Sequence, residues 1–258
     1  MKLNIVPARL GAQWVKEGVL TFFRQPIALT GLFLMFLAIV SLISLLPWIG
    51  GLVGLIFVPA ATLGLMAAAQ EANAGKFPRP LTLFSAFRVS KHKSQQMLLL
   101  GLLYMVGFLL LLGLSALVDS GSFAKVYLVG GTLTKETVMQ VDFQRAMWIA
   151  LVLYIPFSSL FWHASALVHW HGISIAKSLF FSCVACFSNW RAFVVYAASW
   201  MSVFALMAVL LGLVSSSTED AEWVSELLLP FLLVLGSMFF TSAFFSFRDS
   251  FSTDPILA

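Results

Sequence analysis

Six runs in this chain, Ile27–Leu46, Gly51–Ala69, Gln96–Val118, Met147–Trp170, Ala192–Val214 and Ser225–Phe247, carry no Asp, Glu, Lys or Arg in their cores. Each is as long as the roughly 20 residues a helix needs to cross hydrocarbon. In lipid every backbone N–H and C=O must be satisfied within the segment, so long uncharged runs of this kind are helical spans. A transmembrane β-barrel would alternate apolar and polar residues along short strands, and that pattern is absent. Composition agrees: 60% of the residues are hydrophobic and 10% charged, against roughly 25% charged in a soluble domain. The sequence therefore predicts an all-α integral membrane protein, a single membrane domain over residues 1–258 with six spans.

The spans are organised around one stretch, Phe57 to Lys93, FVPAATLGLMAAAQEANAGKFPRPLTLFSAFRVSKHK. A diluted copy begins at Tyr154, YIPFSSLFWHASALVHWHGISIAKSLFFSCVACFSNW. Without a gap, Pro59 meets Pro156, Leu63 meets Leu160, Ala67 meets Ala164, Ala69 meets Ala166, Gly75 meets Gly172, Phe84 meets Phe181 and Ser85 meets Ser182. This points to a parallel internal repeat, with units at about 8–69, 81–170 and 173–247. Each unit is an amphipathic interfacial helix followed by a two-span hairpin. The second span of each hairpin holds a proline, Pro59, Pro156 or Pro230. Parallel repeats occur in transporters around an axis along the membrane normal, and in plain bundles too.

Before the first span, Leu10, Trp14, Val15, Val19, Phe22 and Phe23 alternate at helical spacing with Arg9, Gln13, Lys16, Glu17 and Arg24. Trp14 and the two phenylalanines are expected at the headgroup boundary, the cations on anionic lipid. Leu81–Arg88 and Ile173–Asn189 are the second and third interfacial candidates. Pro47-Trp48 and Gly50-Gly51 predict a tight turn between the first two spans, which then pack antiparallel. Gly50-x-x-x-Gly54 and Ala60-x-x-x-Gly64 predict close helix approach. Around Gly130-Gly131 the β-branched KVYLVGGTLTKETVMQV predicts a β-hairpin. Residues 215–222 read as a short acidic loop, and a short polar tail follows the last span.

Of the 15 Lys and Arg, all but Lys125, Lys135 and Arg145 fall on the side of the N-terminal segment, the 70–95 and 171–191 loops and the tail. The positive-inside rule then puts both termini in the cytoplasm. The net charge of +4 suits this orientation and anionic lipid. No basic patch on a soluble domain suggests nucleic acid. The first span has no small-residue cleavage site after it and is expected to serve as an uncleaved start-transfer signal.

Charge inside a span usually marks an ion or proton path, and its lack argues against a proton- or sodium-coupled transporter. His163 is the titratable side chain clearly within a span, with Ser158, Ser159, Ser165 and Trp162 nearby. It reads either as a contact for a substrate, with Ser158 beside it, or as a histidine hydrogen-bonded to a neighbouring helix. His169 and His171 with Cys183 and Cys186 supply imidazole and thiolate ligands suited to zinc or copper. Their spacing is not that of a finger, and the cysteines lie among Phe180, Phe181, Val184 and Phe187, as small apolar residues on a buried face would. No βαβ context favours a thioredoxin role. Phe187 stands where covalent haem would need a histidine, and a b-type haem on His163 or His169 would be left with His92, which lies in the basic loop. No phosphate loop, nucleophile elbow, HExxH or acidic metal cluster occurs. The expectation is no enzyme, no catalytic residue, no cofactor and no bound metal.

Three segments carry a resemblance: PARLGAQWVKEGVLTFFRQPIALTGLFLMF, the VP…A…A…G…FSAF stretch and SLFFSCVACFSNWRAF. Together they resemble a widespread group of small, uncharacterised bacterial inner-membrane proteins with about six spans. The layout is also similar to the membrane portion of some glycerophosphodiester phosphodiesterases, with the catalytic domain absent here. The resemblance implies fold and location and carries over no catalytic residue. The leading functional expectation is a non-enzymatic scaffold, assembly or lipid-environment component. Its partners would be membrane lipid and a membrane protein or a second copy. A small-solute permease or channel and a metal-binding membrane protein are the alternatives.

Overall fold

The computed structural model describes residues 2–46, 49–128, 130, 133–216 and 222–252, and of 215–216 and 222–227 the backbone alone. The elements are β1 (Lys2–Leu3), α1 (Leu10–Arg24), α2 (Pro26–Ser44), α3 (Gly50–Asn73), a 3-10 turn Pro80–Phe84 running into α4 (Ser85–Arg88), and α5 (Lys91–Asp119). They continue as α6 (Ser122–Leu128), α7 (Lys135–Met139), α8 (Val141–Phe161), α9 (Ala164–His171), α10 (Ile175–Ser188), α11 (Trp190–Ser216), α12 (Glu222–Ser250) and β2 (Phe251–Ser252). Six stretches are long and apolar enough to cross a membrane: α2, α3, α5, α8 with α9, α11 and α12. The all-α membrane class is as the sequence predicts. The expected turn at Pro47-Trp48, most of the acidic loop and the tail lie outside the described residues.

The chain gathers into two compact units that interleave along it. One is drawn from Met1–Leu37, Thr62–Ser85 and Ala185–Ala258, the other from Ala38–Ala61 and Ala86–Val184.

In the first unit α1 packs on α11 and α12. The contact is close because α1 offers glycine there. A Cβ on Gly11 would run into the carbonyl of Ala192, and one on Gly18 into Ser242. The helix is amphipathic as predicted, but its apolar face is turned differently from the expectation. Trp14 has no exposed surface and Phe22 almost none, while Phe23 stays exposed. The indole N–H of Trp14 donates to Asp249 Oδ2 at 2.9 Å, and its ring meets Phe193 and Tyr196 at 5.4 and 6.0 Å. A buried indole needs a partner for its N–H, and α12 supplies one that the headgroup region would otherwise provide. Arg248 ties the same corner together, reaching Glu17 at 2.8 Å and Asp249 at 2.7 Å. Beyond it β1 pairs antiparallel with β2, Lys2 opposite Ser252 and Leu3 opposite Phe251. Asn189 locks this clasp: its Oδ1 accepts from Val6 N–H at 2.8 Å and its Nδ2 donates to Asn4 C=O at 3.0 Å. Gly64 of α3 approaches the backbone of Leu83, so this small residue makes room for the 3-10 turn rather than for the neighbouring span.

In the second unit α5 and α8 pack along their lengths. Gly101 lies against the carbonyl of Ile56 and Gly107 against the ring of Phe157. Tyr104 sits edge-on to Phe161 at 5.0 Å and tilted to Phe157 at 5.1 Å. The expected β-hairpin is a helix instead where Lys125–Leu128 is concerned, and Val129, Gly131 and Thr132 lie outside the described residues. The reason is a cap and a core. Asp119 accepts from Gly121 N–H at 2.9 Å and from Phe123 N–H at 2.6 Å, satisfying the orphan donors that open α6. Phe123 and Ala124 are then buried with Leu111, Leu112, Phe143 and Ala146 of α5 and α8. Thr134 caps α7 in the same way, accepting from Thr137 N–H at 3.2 Å.

Candidate functional site

The fourth span is discontinuous, and His163 sits at the break. Trp162 N–H still reaches Ser158 C=O at 2.9 Å. The next N–H, of His163, donates instead to Ser182 Oγ of α10 at 2.9 Å. Ser182 Oγ donates in turn to Ser159 C=O at 2.7 Å. Ser159 C=O is the acceptor that His163 N–H would meet in an unbroken helix. A hydroxyl from a neighbouring helix is thus wedged into the ladder, one of the recognised causes of a helix break. Pro156 has already removed a donor one turn earlier, and Ser159 Oγ bonds back to its carbonyl at 2.7 Å.

His163 is fully buried. Ser158, paired with it from sequence, is half-exposed, and its hydroxyl donates to Ile155 C=O within its own helix at 2.9 Å. The serines brought to the break are Ser159 and Ser182, both buried. Helical arithmetic marks the first, already named beside His163, since residues four apart share a face. No signal in the fourth span itself announces the second.

α9 runs from the break to His171, where Gly172 leaves the helix at φ +63°. Lys93 Nζ donates to the carbonyl of His169 at 2.7 Å, a cation on the unsatisfied C-terminal turn. His169 is buried and His171 half-buried. Ser165 Oγ and His169 Nδ1, one turn apart on α9, are buried with no hydrogen-bond partner among the described residues. Cys183 and Cys186 are half-buried on α10 and form no disulfide, and Cys183 Sγ lies 3.8 Å from Ser159 Oγ. Among the described residues no three His, Cys, Asp or Glu side chains gather to hold a metal ion.

A second feature belongs to the same unit, and nothing in the linear order of residues marks it. Between α5, α6 and α8 lies a cavity of about 460 Å³. Its floor is Leu111, Leu112, Phe123 and Ala150, all buried, and its mouth is Tyr127, Trp148, Leu151 and Tyr154, all exposed. It exists because residues 122–128 form a helix laid over the two spans.

No protein-family model and no solved structure matches the chain. A curated protein of Burkholderia thailandensis, named a probable inner membrane protein, is 33% identical over 254 residues, covering 97% of this chain and 94% of that one. With six membrane-capable helices and an alignment spanning nearly both chains, this multi-pass protein belongs to the family of that inner-membrane protein.

Proposed function

We propose that the protein is a non-enzymatic component of the bacterial inner membrane that organises lipid or a membrane-protein partner. The observation that carries this reading is the character of the cavity in the second unit. Its walls are aromatic and aliphatic side chains with no charged group among them, suited to hydrocarbon rather than to a reacting polar substrate. The hydroxyls of Ser158, Ser159 and Ser182 are committed to backbone carbonyls within the unit, which favours a structural role for these three serines. Both termini are taken as cytoplasmic. Twelve of the 15 cations support this, and the β1–β2 pairing supports a common side for Lys2–Leu3 and Phe251–Ser252. A parallel repeat is supported by Gly75 and Gly172, aligned in sequence and both at positive φ, +74° and +63°.

A permease is the second reading. The break in the fourth span favours it, as discontinuous helices bind solutes in many transporters, and Ser165 Oγ and His169 Nδ1 are polar groups left for a ligand. Native mass spectrometry of the protein released gently from its own membrane tests the pair. A co-purifying membrane protein or a fixed number of retained lipids is the expected result. A bare chain that carries solute across proteoliposomes would overturn it in favour of the permease.

A further inference from the structure

We infer that the cavity between α5, α6 and α8 holds one acyl chain of a membrane phospholipid. The inference rests on the lipid-organising reading above and gives it a place on the molecule. Three observations lead to this occupant. First, size and lining: about 460 Å³ falls within the roughly 300–1,000 Å³ of ligand pockets. A floor of Leu111, Leu112, Phe123 and Ala150 offers an acyl chain dispersion contacts and offers a polar solute no hydrogen bond. Second, surroundings: two of its three walls, α5 and α8, are membrane spans, so the medium at its open mouth is lipid. Tyr127, Trp148 and Tyr154 stand at that mouth, each with an apolar body and a polar tip of the kind that collects at the headgroup level.

Third, charge. Arg145 lies one turn before Trp148 on α8 and is exposed. Arg145 pairs with Asp142 at 3.3 Å, both side chains about two-thirds exposed. Exposed pairs of this kind are weak and exchange readily for a phosphate. Arg145 is therefore the cation offered to an anionic headgroup whose chain enters the cavity.

The test uses the full chain, stripped of lipid in detergent and titrated with dipalmitoyl phosphatidylglycerol while native mass spectrometry counts bound lipids. One saturable lipid is expected. Dihexanoyl phosphatidylglycerol has the same headgroup and chains too short to fill the cavity, and it should bind roughly tenfold or more weakly. Leu151→Trp fills the cavity from its exposed mouth and Ala150→Phe from its buried floor; each should weaken the long-chain lipid by a similar factor. Leu110→Trp, on an exposed part of α5 outside the cavity, should not. If Ala150→Phe does not fold, Leu151→Trp alone decides. Equal binding of the two lipids, or unchanged binding in Leu151→Trp, overturns the assignment. So does a dimer, in place of a lipid, that Leu151→Trp abolishes. Proteoliposomes separate this result from the function proposed above. Solute flux together with one saturable lipid refutes the non-transport reading and leaves the occupant standing. No flux and no saturable lipid refutes the occupant alone.

Discussion

Ser182 shows how much one hydroxyl decides. It accepts from one backbone group and donates to another that would otherwise bond to each other. Ser182→Ala frees His163 N–H and Ser159 C=O to close the ladder. Because they regain a partner, the cost is modest, roughly 1 kcal/mol, in the range of single hydrogen bonds between membrane helices. Thermal unfolding in detergent should show that loss, whereas Ser158→Ala, whose hydroxyl bonds only within its own helix, should unfold within about 0.5 kcal/mol of the parent. The comparison also shows what sequence can and cannot reveal at this scale. His163 was singled out because a titratable residue in an apolar run stands out. Ser159, one turn away, is legible, but Ser182 is not, because it lies 19 residues away on a different helix and local periodicity carries no record of which helix packs where.

Among the elements, α5 offers a clean pair of positions. A Cβ at Gly101 would meet the carbonyl of Ile56, while one at Gly113 meets nothing within 4 Å. Gly101→Ala should therefore destabilise by about 1–3 kcal/mol, the usual cost of overpacking. Gly113→Ala should be neutral or stabilising by up to about 1 kcal/mol, since alanine is the better helix former. Denaturation midpoints of the two variants check this. Asp119→Ala removes the cap of α6 and leaves two amides unsatisfied, at a cost of about 1–2 kcal/mol. Because Phe123 and Tyr127 leave with the helix, its clearest readout is faster proteolysis between residues 120 and 130. The spans were legible because twenty uncharged residues have few alternatives. Residues 125–128 were not: Val126 and Tyr127 ahead of a glycine pair read as strand, and the burial of Phe123 and Ala124 against α5 and α8 overrides that propensity. For α1 the amphipathic face was legible and its partner was not, since a stripe holding Trp14 and Phe22 suits lipid and protein alike.

For the whole molecule, the proposed topology gives a direct expectation. With Cys183 and Cys186 replaced by serine, single cysteines at Lys2 and Ser252 should both resist a membrane-impermeant maleimide in intact cells and both react in inverted vesicles. Labelling of one and not the other would contradict the pairing of β1 with β2. Labelling of both in intact cells would reverse the orientation.

The clasp of the first unit also fixes an order of events during synthesis. Trp14 and Asp249 are 235 residues apart. At about 5–20 residues per second, α1 leaves the ribosome on the order of 10–50 s before the carboxylate that receives its indole exists. Throughout that interval Trp14, Phe22 and the bare glycine face of α1 have no docking partner from α12. A chain that stalls before α12 leaves them so for good. The docking of α1 on α12 thus closes the first unit late, and until α12 arrives α1 offers a greasy, unclaimed face to any membrane protease.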